Sequence, residues 1–273
     1  MPSNAKQLKS RIRSVDSTMH ITKAMELVAS SKLRRATMRM EAARPYFSAM
    51  TSAMSKLAKA DSVYSTAREI KKTCFVVVAG DRGLAGGYNS NIYKLLKSEA
   101  EGKDAVVIPI GKRAVDHVSH RGYVSPKKYT SVENMTLADC VEAGFIIKDM
   151  YLNGEIDEAY IIYTKFNSML SFEPTVKKIL PLEKDESESS GYVMFEPSTE
   201  DVLDTVIPEY ISGIVCGAVR ESFASELSAR RAAMDNASKN AEEMIENLEL
   251  KYNRARQSAI TQEITEIIGG SER

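Results

Sequence analysis

The sequence predicts an α/β protein in which the two chain ends form a long antiparallel coiled coil and the middle forms a domain with a mainly parallel sheet. Three observations carry this. Residues 4–61 contain no glycine and only one proline, Pro45. Residues 234–268 hold a heptad seam, and residues 70–200 alternate strand-like and helix-like runs.

In the first segment, Leu8, Ile12, Val15 and Met19, followed by Met25, Val28 and Ala29, recur at spacings of three and four. One face of a helix is therefore apolar, and the opposite face is charged. Pro45 removes a backbone hydrogen bond and should bend the helix near Arg44 and Tyr46. The last segment has the same character. Ser198, with Asp201 three residues on, reads as a helix cap, Pro208 should interrupt the helix, and Gly269-Gly270 should end it. Met234, Ala241, Leu248 and Ala255 repeat every seven residues, with Ser238, Ile245, Tyr252 and Ala259 as the companion series. Roughly 60 residues of helix at each end would span about 90 Å, too long for a compact domain, so each striped helix needs a partner. The other chain end is the nearest one, and it would pair antiparallel because a globular segment joins them.

The middle begins with CFVVVAG (74–80), an apolar β-branched run, then a glycine-rich turn and helical SNIYKLLKSEA. DAVVIPIG (104–111) and KRAVDHVSH repeat the scheme, and TLADCVEAGFIIKDMYLNG is a third helix. AYIIYTKF and TVKKILPL follow as strands, readable as an antiparallel edge hairpin, with Glu183 to Ser190 as a charged loop. The domain boundaries expected are 1–60 for the N-terminal helix, 70–197 for the globular part and 198–273 for the C-terminal helix.

Composition bounds the function. Hydrophobic residues make up 43% and charged residues 27%, which suits a soluble folded chain. There is no run of 18 apolar residues and no secretory leader, so membrane association should come through a partner. Formal charge is zero, with 37 basic and 37 acidic side chains, yet the first 44 residues hold ten basic residues against Asp16, Glu26 and Glu41. Such a face could meet nucleic acid, anionic lipid or acidic protein. Cys74, Cys140 and Cys216 are far apart among apolar neighbours and read as small buried hydrophobes in a reducing compartment, with no CxxC pair.

No catalytic constellation, cofactor site or metal site is expected. AGDRGLAGGYNSN (79–91) lies between strand and helix, where many α/β proteins bind phosphate, but it matches neither G-x-G-x-x-G nor GxxxxGK[ST]. Its glycines read as a tight turn and close packing. His117 and His120 share a helix side without a cysteine or carboxylate to complete a metal set. Two rival readings are a nucleic-acid adaptor using the basic helix and a small α/β enzyme using the glycine turn. Neither accounts for two such long helices.

IRSVDSTMHITKAMELVASSKLRRA (12–36) with ARPY (43–46), DRGLAGGYNSN (81–91), and AAMDNASKNAEEMIENLELKYNRARQSAITQEITEIIGG (232–270) resemble, in order and spacing, the gamma subunits of F-type ATP synthases. The resemblance implies an asymmetric antiparallel coiled coil inside a ring of three alpha and three beta subunits. It also implies a Rossmann-like domain that binds epsilon and stands on the membrane c ring. The chain would be the non-catalytic central-stalk rotor of a proton-transporting ATP synthase, peripheral on the cytoplasmic face of the cell inner membrane, or alternatively on the matrix side of the mitochondrial inner membrane. Ion flow would supply about 2.3 kcal/mol per charge per 100 mV to turn it.

Carried over by residue, the resemblance implies that Lys23, Met25 and Glu26 contact the lower part of beta. It places Arg256, Gln257, Thr261 and Glu263 where the acidic loops of beta grip, and Phe195 and Glu196 at the foot on the c ring. Plastid members carry an inserted dithiol segment. This chain has no nearby cysteine pair after the third helix, so that form of thiol control is not expected. The start methionine and the lack of a transit peptide favour a bacterial type.

Overall fold

The structure is a computed structural model that describes residues 2–58, 62–66, 68–183 and 198–271. Its elements are α1 (Pro2–Leu57), β1 (Lys72–Val78), α2 (Tyr88–Ala100), β2 (Asp104–Ile110) and α3 (Lys112–Arg121), then α4 (Leu137–Leu152), β3 (Glu158–Ser168), β4 (Ser171–Leu180) and α5 (Thr199–Ser271). They group into two units, one of Met1–Ser30 with Arg230–Arg273 and one of Ser31–Ala229. Both α1 and α5 contribute to each.

In the first unit the two helices pair antiparallel. Lys23 binds Glu242 at 2.8 Å, while Glu26, three residues on, acts electrostatically on Lys239, three residues back. All eight positions of the heptad series are withdrawn from solvent, with Met234, Ser238, Ala241 and Leu248 buried and Ile245, Tyr252, Ala255 and Ala259 half-buried. Opposite them, Leu8, Ile12, Val15, Met19 and Met25 are half-buried and Ala29 is buried. Val28 was expected on this stripe and is instead 58% exposed. The turn of the helix carries the seam from Met25 to Ala29, whose small side chain lets the partner approach closely. Beyond Ala259 the seam ends, and Ile260, Ile264, Ile267 and Ile268 are all exposed.

The second unit is a three-layer α/β body. Its sheet has the order β2-β1-β3-β4. β1 runs parallel to β2, from Lys72↔Asp104 to Val78↔Ile110, and parallel to β3, from Thr73↔Glu158 to Val77↔Ile162. β3 and β4 form the antiparallel edge hairpin that the sequence predicts. Alternation along β1 builds both faces. Phe75, Val77 and Ala79 face a core with Ile92, Leu96, Ala114 and Val118 of α2 and α3, while Cys74, Val76 and Val78 join a larger core with α4 and with Leu203 to Val219 of α5. A capping box at Thr136 and Asp139 starts α4.

Pro208 does not interrupt α5. A proline removes the hydrogen bond to the carbonyl four residues back. Here that carbonyl, on Asp204, accepts instead from Lys148 Nζ of α4 at 3.5 Å, and the Pro208 carbonyl accepts from Ser212 Oγ at 2.5 Å. α1 likewise continues through Pro45. The cap at Ser198 is formed, with the Asp201 amide donating to Ser198 Oγ at 3.1 Å. The glycine pair lies inside α5, which runs to Ser271. By length and composition one window of α5 is apolar enough to cross a membrane, and 61% of it is buried in the protein, as in a core helix. Residues 184–190 of the expected charged loop lie outside the described residues.

Candidate functional site

The carboxyl end of β1, next to β3, is where open α/β sheets usually bind ligands. In this chain its own helix fills the position. A Cβ on Gly80 would lie 2.7 Å from Glu226 Cδ and 2.8 Å from its Oε1, and Glu226 is only 3% exposed. Around it, Ser222 Oγ accepts from the Thr164 amide at 2.9 Å, Ser225 Oγ donates to the Thr164 carbonyl at 3.2 Å, and Tyr88 donates to the Ser222 carbonyl at 3.0 Å. A phosphate in this crevice would meet a buried carboxylate, so the close packing expected of these glycines has a named occupant. Sequence reasoning missed Glu226, which is remote along the chain from the turn it fills.

The rest of the turn is also structural. Asp81 accepts from the Val132 amide and the Ser131 hydroxyl, both at 2.8 Å, which ties the turn to the loop before α4. The two histidines of α3 have separate roles. His117 stacks flat on Tyr93, with ring centroids 3.9 Å apart, and His120 Nδ1 lies 2.6 Å from the Asp116 carbonyl. Burial, then the Arg121 and His120 charges, lower the His117 pKa.

Seven of the nine expected partner-contact residues belong to the first unit, where they fall into two sets. Lys23 is exposed and paired with Glu242, while Met25 and Glu26 are half-buried. Met25 therefore has a packing role that Lys23 lacks. Arg256, Gln257 and Thr261 are exposed on α5, and Thr261 Oγ1 donates to the Gln257 carbonyl at 2.9 Å. From Glu242 to Arg256 along α5 is about 21 Å, so the two sets are separate surfaces. Glu263 belongs to α5, but its side chain is not among the described residues. Phe195 and Glu196 lie outside the described residues.

Two further surfaces in the second unit were not foreseen. One groove of about 540 Å³ is lined by Lys32, Arg35, Arg39 and Arg220, with Glu133 bound to Lys32 at 2.6 Å. A second, of about 500 Å³, is lined by Arg44, Phe47, Lys177, Tyr210, Arg220 and Glu221. Their sequence signal was only the basic bias of the first 44 residues.

Comparison with known proteins adds the family context. A family described as ATP synthase matches residues 4–273. The sodium ion specific ATP synthase gamma chain of Acetobacterium woodii is 41% identical, covering 100% of this chain and 99% of its own length. The ATP synthase gamma chain of Ruminococcus albus is 43% identical, covering 98% of each. Among solved structures, a chain of the Euglena gracilis mitochondrial ATP synthase (OSCP/F1/c-ring) has a TM-score of 0.75 at 18% identity, covering 98% of this chain and 94% of that one. A chain of the Tetrahymena thermophila mitochondrial ATP synthase central stalk and c-ring has a TM-score of 0.65 at 24% identity, covering 80% and 99%.

Proposed function

The chain belongs to the ATP synthase gamma chain family, and from that premise we propose how its residues serve as the rotor of the complex. The paired ends turn inside a ring of three alpha and three beta subunits, and the α/β unit binds epsilon and the c ring. The chain carries out no bond chemistry itself. Because one asymmetric shaft faces three equivalent beta subunits, it favours a different conformation in each, and rotation changes their nucleotide affinities in turn.

The observation that carries this reading is the heptad seam of α5. It is closed against α1 from Met234 to Ala259, and the outer faces are mostly charged, with Leu27, Val28, Met244 and Leu250 as scattered exposed apolar side chains. A polar exterior lets a shaft turn inside a protein sleeve without adhering to it, whereas a broad apolar surface would bind. Lys23 and Glu26 are read as contacts for the lower part of beta, and Met25 as packing that also reaches beta. Arg256, Gln257, Thr261 and Glu263 are read as the grip for the acidic loops of beta, and Phe195 and Glu196 as the foot on the c ring. We read the coupling ion as the proton and the location as peripheral, on the cytoplasmic face of the inner membrane. The sodium specificity named for the Acetobacterium relative makes driving the assembled complex with each ion gradient in turn the direct check.

The test of the rotor reading is reconstitution. The purified chain alone should lack ATPase activity, and with alpha, beta and the membrane sector it should support proton-coupled ATP synthesis. Equal synthesis with a chain lacking residues 240–273 would overturn the torque path assigned to α5.

A further inference from the structure

Helices α4 and α5 meet at very close range in the second unit. A Cβ on Gly144 would lie 2.5 Å from Ser212 Oγ and 2.6 Å from the Pro208 carbonyl oxygen. One turn further along α4, Lys148 reaches the Asp204 carbonyl of α5. Advancing along α4 thus means retreating along α5, and the helices run antiparallel. One turn in the other direction, the same register brings Cys140 towards Cys216 in a single buried core, where each thiol shifts the other's titration. Cys140 is 1% exposed and Cys216 is 6% exposed. Arg220, one turn beyond Cys216, lowers the pKa of that thiol through its charge and lines both basic grooves.

From this geometry we propose that Cys140 and Cys216 are an oxidisable dithiol that a small peroxide converts into a disulfide joining α4 to α5. A disulfide needs Cα atoms about 4.4–6.8 Å apart. Gly144, one turn from Cys140, lets α4 and α5 approach closely at this level, with no side chain of its own between them. Elsewhere in the same core, Cys74 is fully buried and has no thiol partner among the described residues. The third cysteine is therefore a built-in control.

The roles within the pair are unequal. The neighbouring Cys140 thiol and, against the opposing effect of burial, the Arg220 guanidinium lower the Cys216 pKa to about 6, while the neighbouring Cys216 and burial raise that of Cys140. Thiolate is the nucleophilic form. Cys216 attacks one peroxide oxygen, breaks the O–O bond and becomes a sulfenic acid, with the other oxygen leaving as water. The Cys140 sulfur then attacks the sulfenic sulfur, the S–O bond breaks, and the departing hydroxide takes the Cys140 proton to leave a second water. Two thiols and one hydrogen peroxide thus give one disulfide and two waters. Burial raises the Cys74 pKa to about 12, which keeps that thiol protonated. This chemistry is independent of the rotor assignment.

The experiment treats the full-length chain with hydrogen peroxide, followed by thiol titration, peptide mapping without reductant and thermal unfolding. The titratable thiols should fall from three to one, with a Cys140–Cys216 linked peptide, a raised unfolding temperature and full reversal by dithiothreitol. Cys140→Ser should trap Cys216 as a sulfenic acid that dimedone labels, while Cys216→Ser should leave Cys140 unlabelled. If the wild-type chain keeps three thiols, loses Cys74 as fast as Cys216, or carries a sulfinic acid at Cys216 with no linked peptide, the proposal is overturned, and that result does not depend on either variant folding.

Discussion

Thr22 and Ser238 share a hydrogen bond of 2.7 Å inside the seam between α1 and α5. Thr22 also donates to the Met19 carbonyl at 2.9 Å, so its hydrogen is committed and Ser238 is the donor across the seam. A buried polar pair in a mainly apolar seam favours the register that joins its members. Thr22→Val leaves the Ser238 hydroxyl buried without its partner and should cost about 1–3 kcal/mol. The double variant with Ser238→Ala should recover most of that loss. Denaturant unfolding of the four members of this cycle checks the coupling, and simple additivity would contradict it.

The two tight glycines should respond differently to alanine. At Gly80 the obstructing atoms are the end of the Glu226 side chain, whereas at Gly144 they include a backbone carbonyl that cannot swing away. Gly80→Ala should cost about 1–3 kcal/mol, and Gly144→Ala should cost more. Combining Gly80→Ala with Glu226→Asp should restore part of the loss. Adding ATP or ADP should leave the unfolding temperature of the isolated chain unchanged, because Glu226 fills the crevice.

Acid should weaken the α/β unit through identifiable carboxylates. Burial pushes Glu158 up, but hydrogen bonds from Thr73 at 2.8 Å, Tyr160 at 2.9 Å and Lys103 at 3.2 Å outweigh it and hold its pKa below the ordinary value. Burial likewise opposes, without overcoming, the Lys71 and Lys72 amides that lower Asp157, and hydrogen bonds from Thr136 lower Asp139. For such groups the unfolded chain binds protons first as pH falls. Their stabilisation is complete above the unfolded value near 4 and is lost as pH drops through the folded value. Glu221 has the opposite sign, since burial raises it, and it offsets part of this loss. Unfolding temperature measured from pH 7 to pH 3 should decline below about pH 4.5, with a shallower decline in Glu158→Gln. An unchanged acid limb in that variant would rule out Glu158 as a source.

Lys23 lets the proposed contact with beta be tested apart from folding. Its ion pair with Glu242 is exposed at both ends, 46% and 56%, so Lys23→Gln should change stability by less than about 1 kcal/mol. A drop in ATP-driven ion pumping at constant ATPase rate would then report the contact with beta. Unchanged pumping would remove Lys23 from the torque path. Met25 is a poorer probe, since it is half-buried in the seam and Met25→Lys would disturb pairing as well.

What could be read from the sequence was whatever depends on local periodicity. The seam of α5, the cap at Ser198, the three parallel strands and the edge hairpin all follow from spacing within one element. The failures depend on distant partners. Pro208 looked like a helix break because the rescuing donor, Lys148, lies on another helix. Val28 and Ala29 are adjacent and both apolar, and only the partner's position selects Ala29. The glycine turn could be recognised as one that fails to match nucleotide-binding motifs, yet the carboxylate that fills its crevice is on α5. Cys140 and Cys216 looked unrelated along the chain, and the close approach at Gly144 unites them.

The most direct test of the account is to watch the chain turn. Alpha and beta subunits would be fixed to a surface around this chain, with a reporter attached to its α/β unit, and ATP would be added. The rotor reading predicts unidirectional rotation in three equal steps per turn, one for each beta subunit. Sustained ATP hydrolysis with the reporter stationary would contradict it.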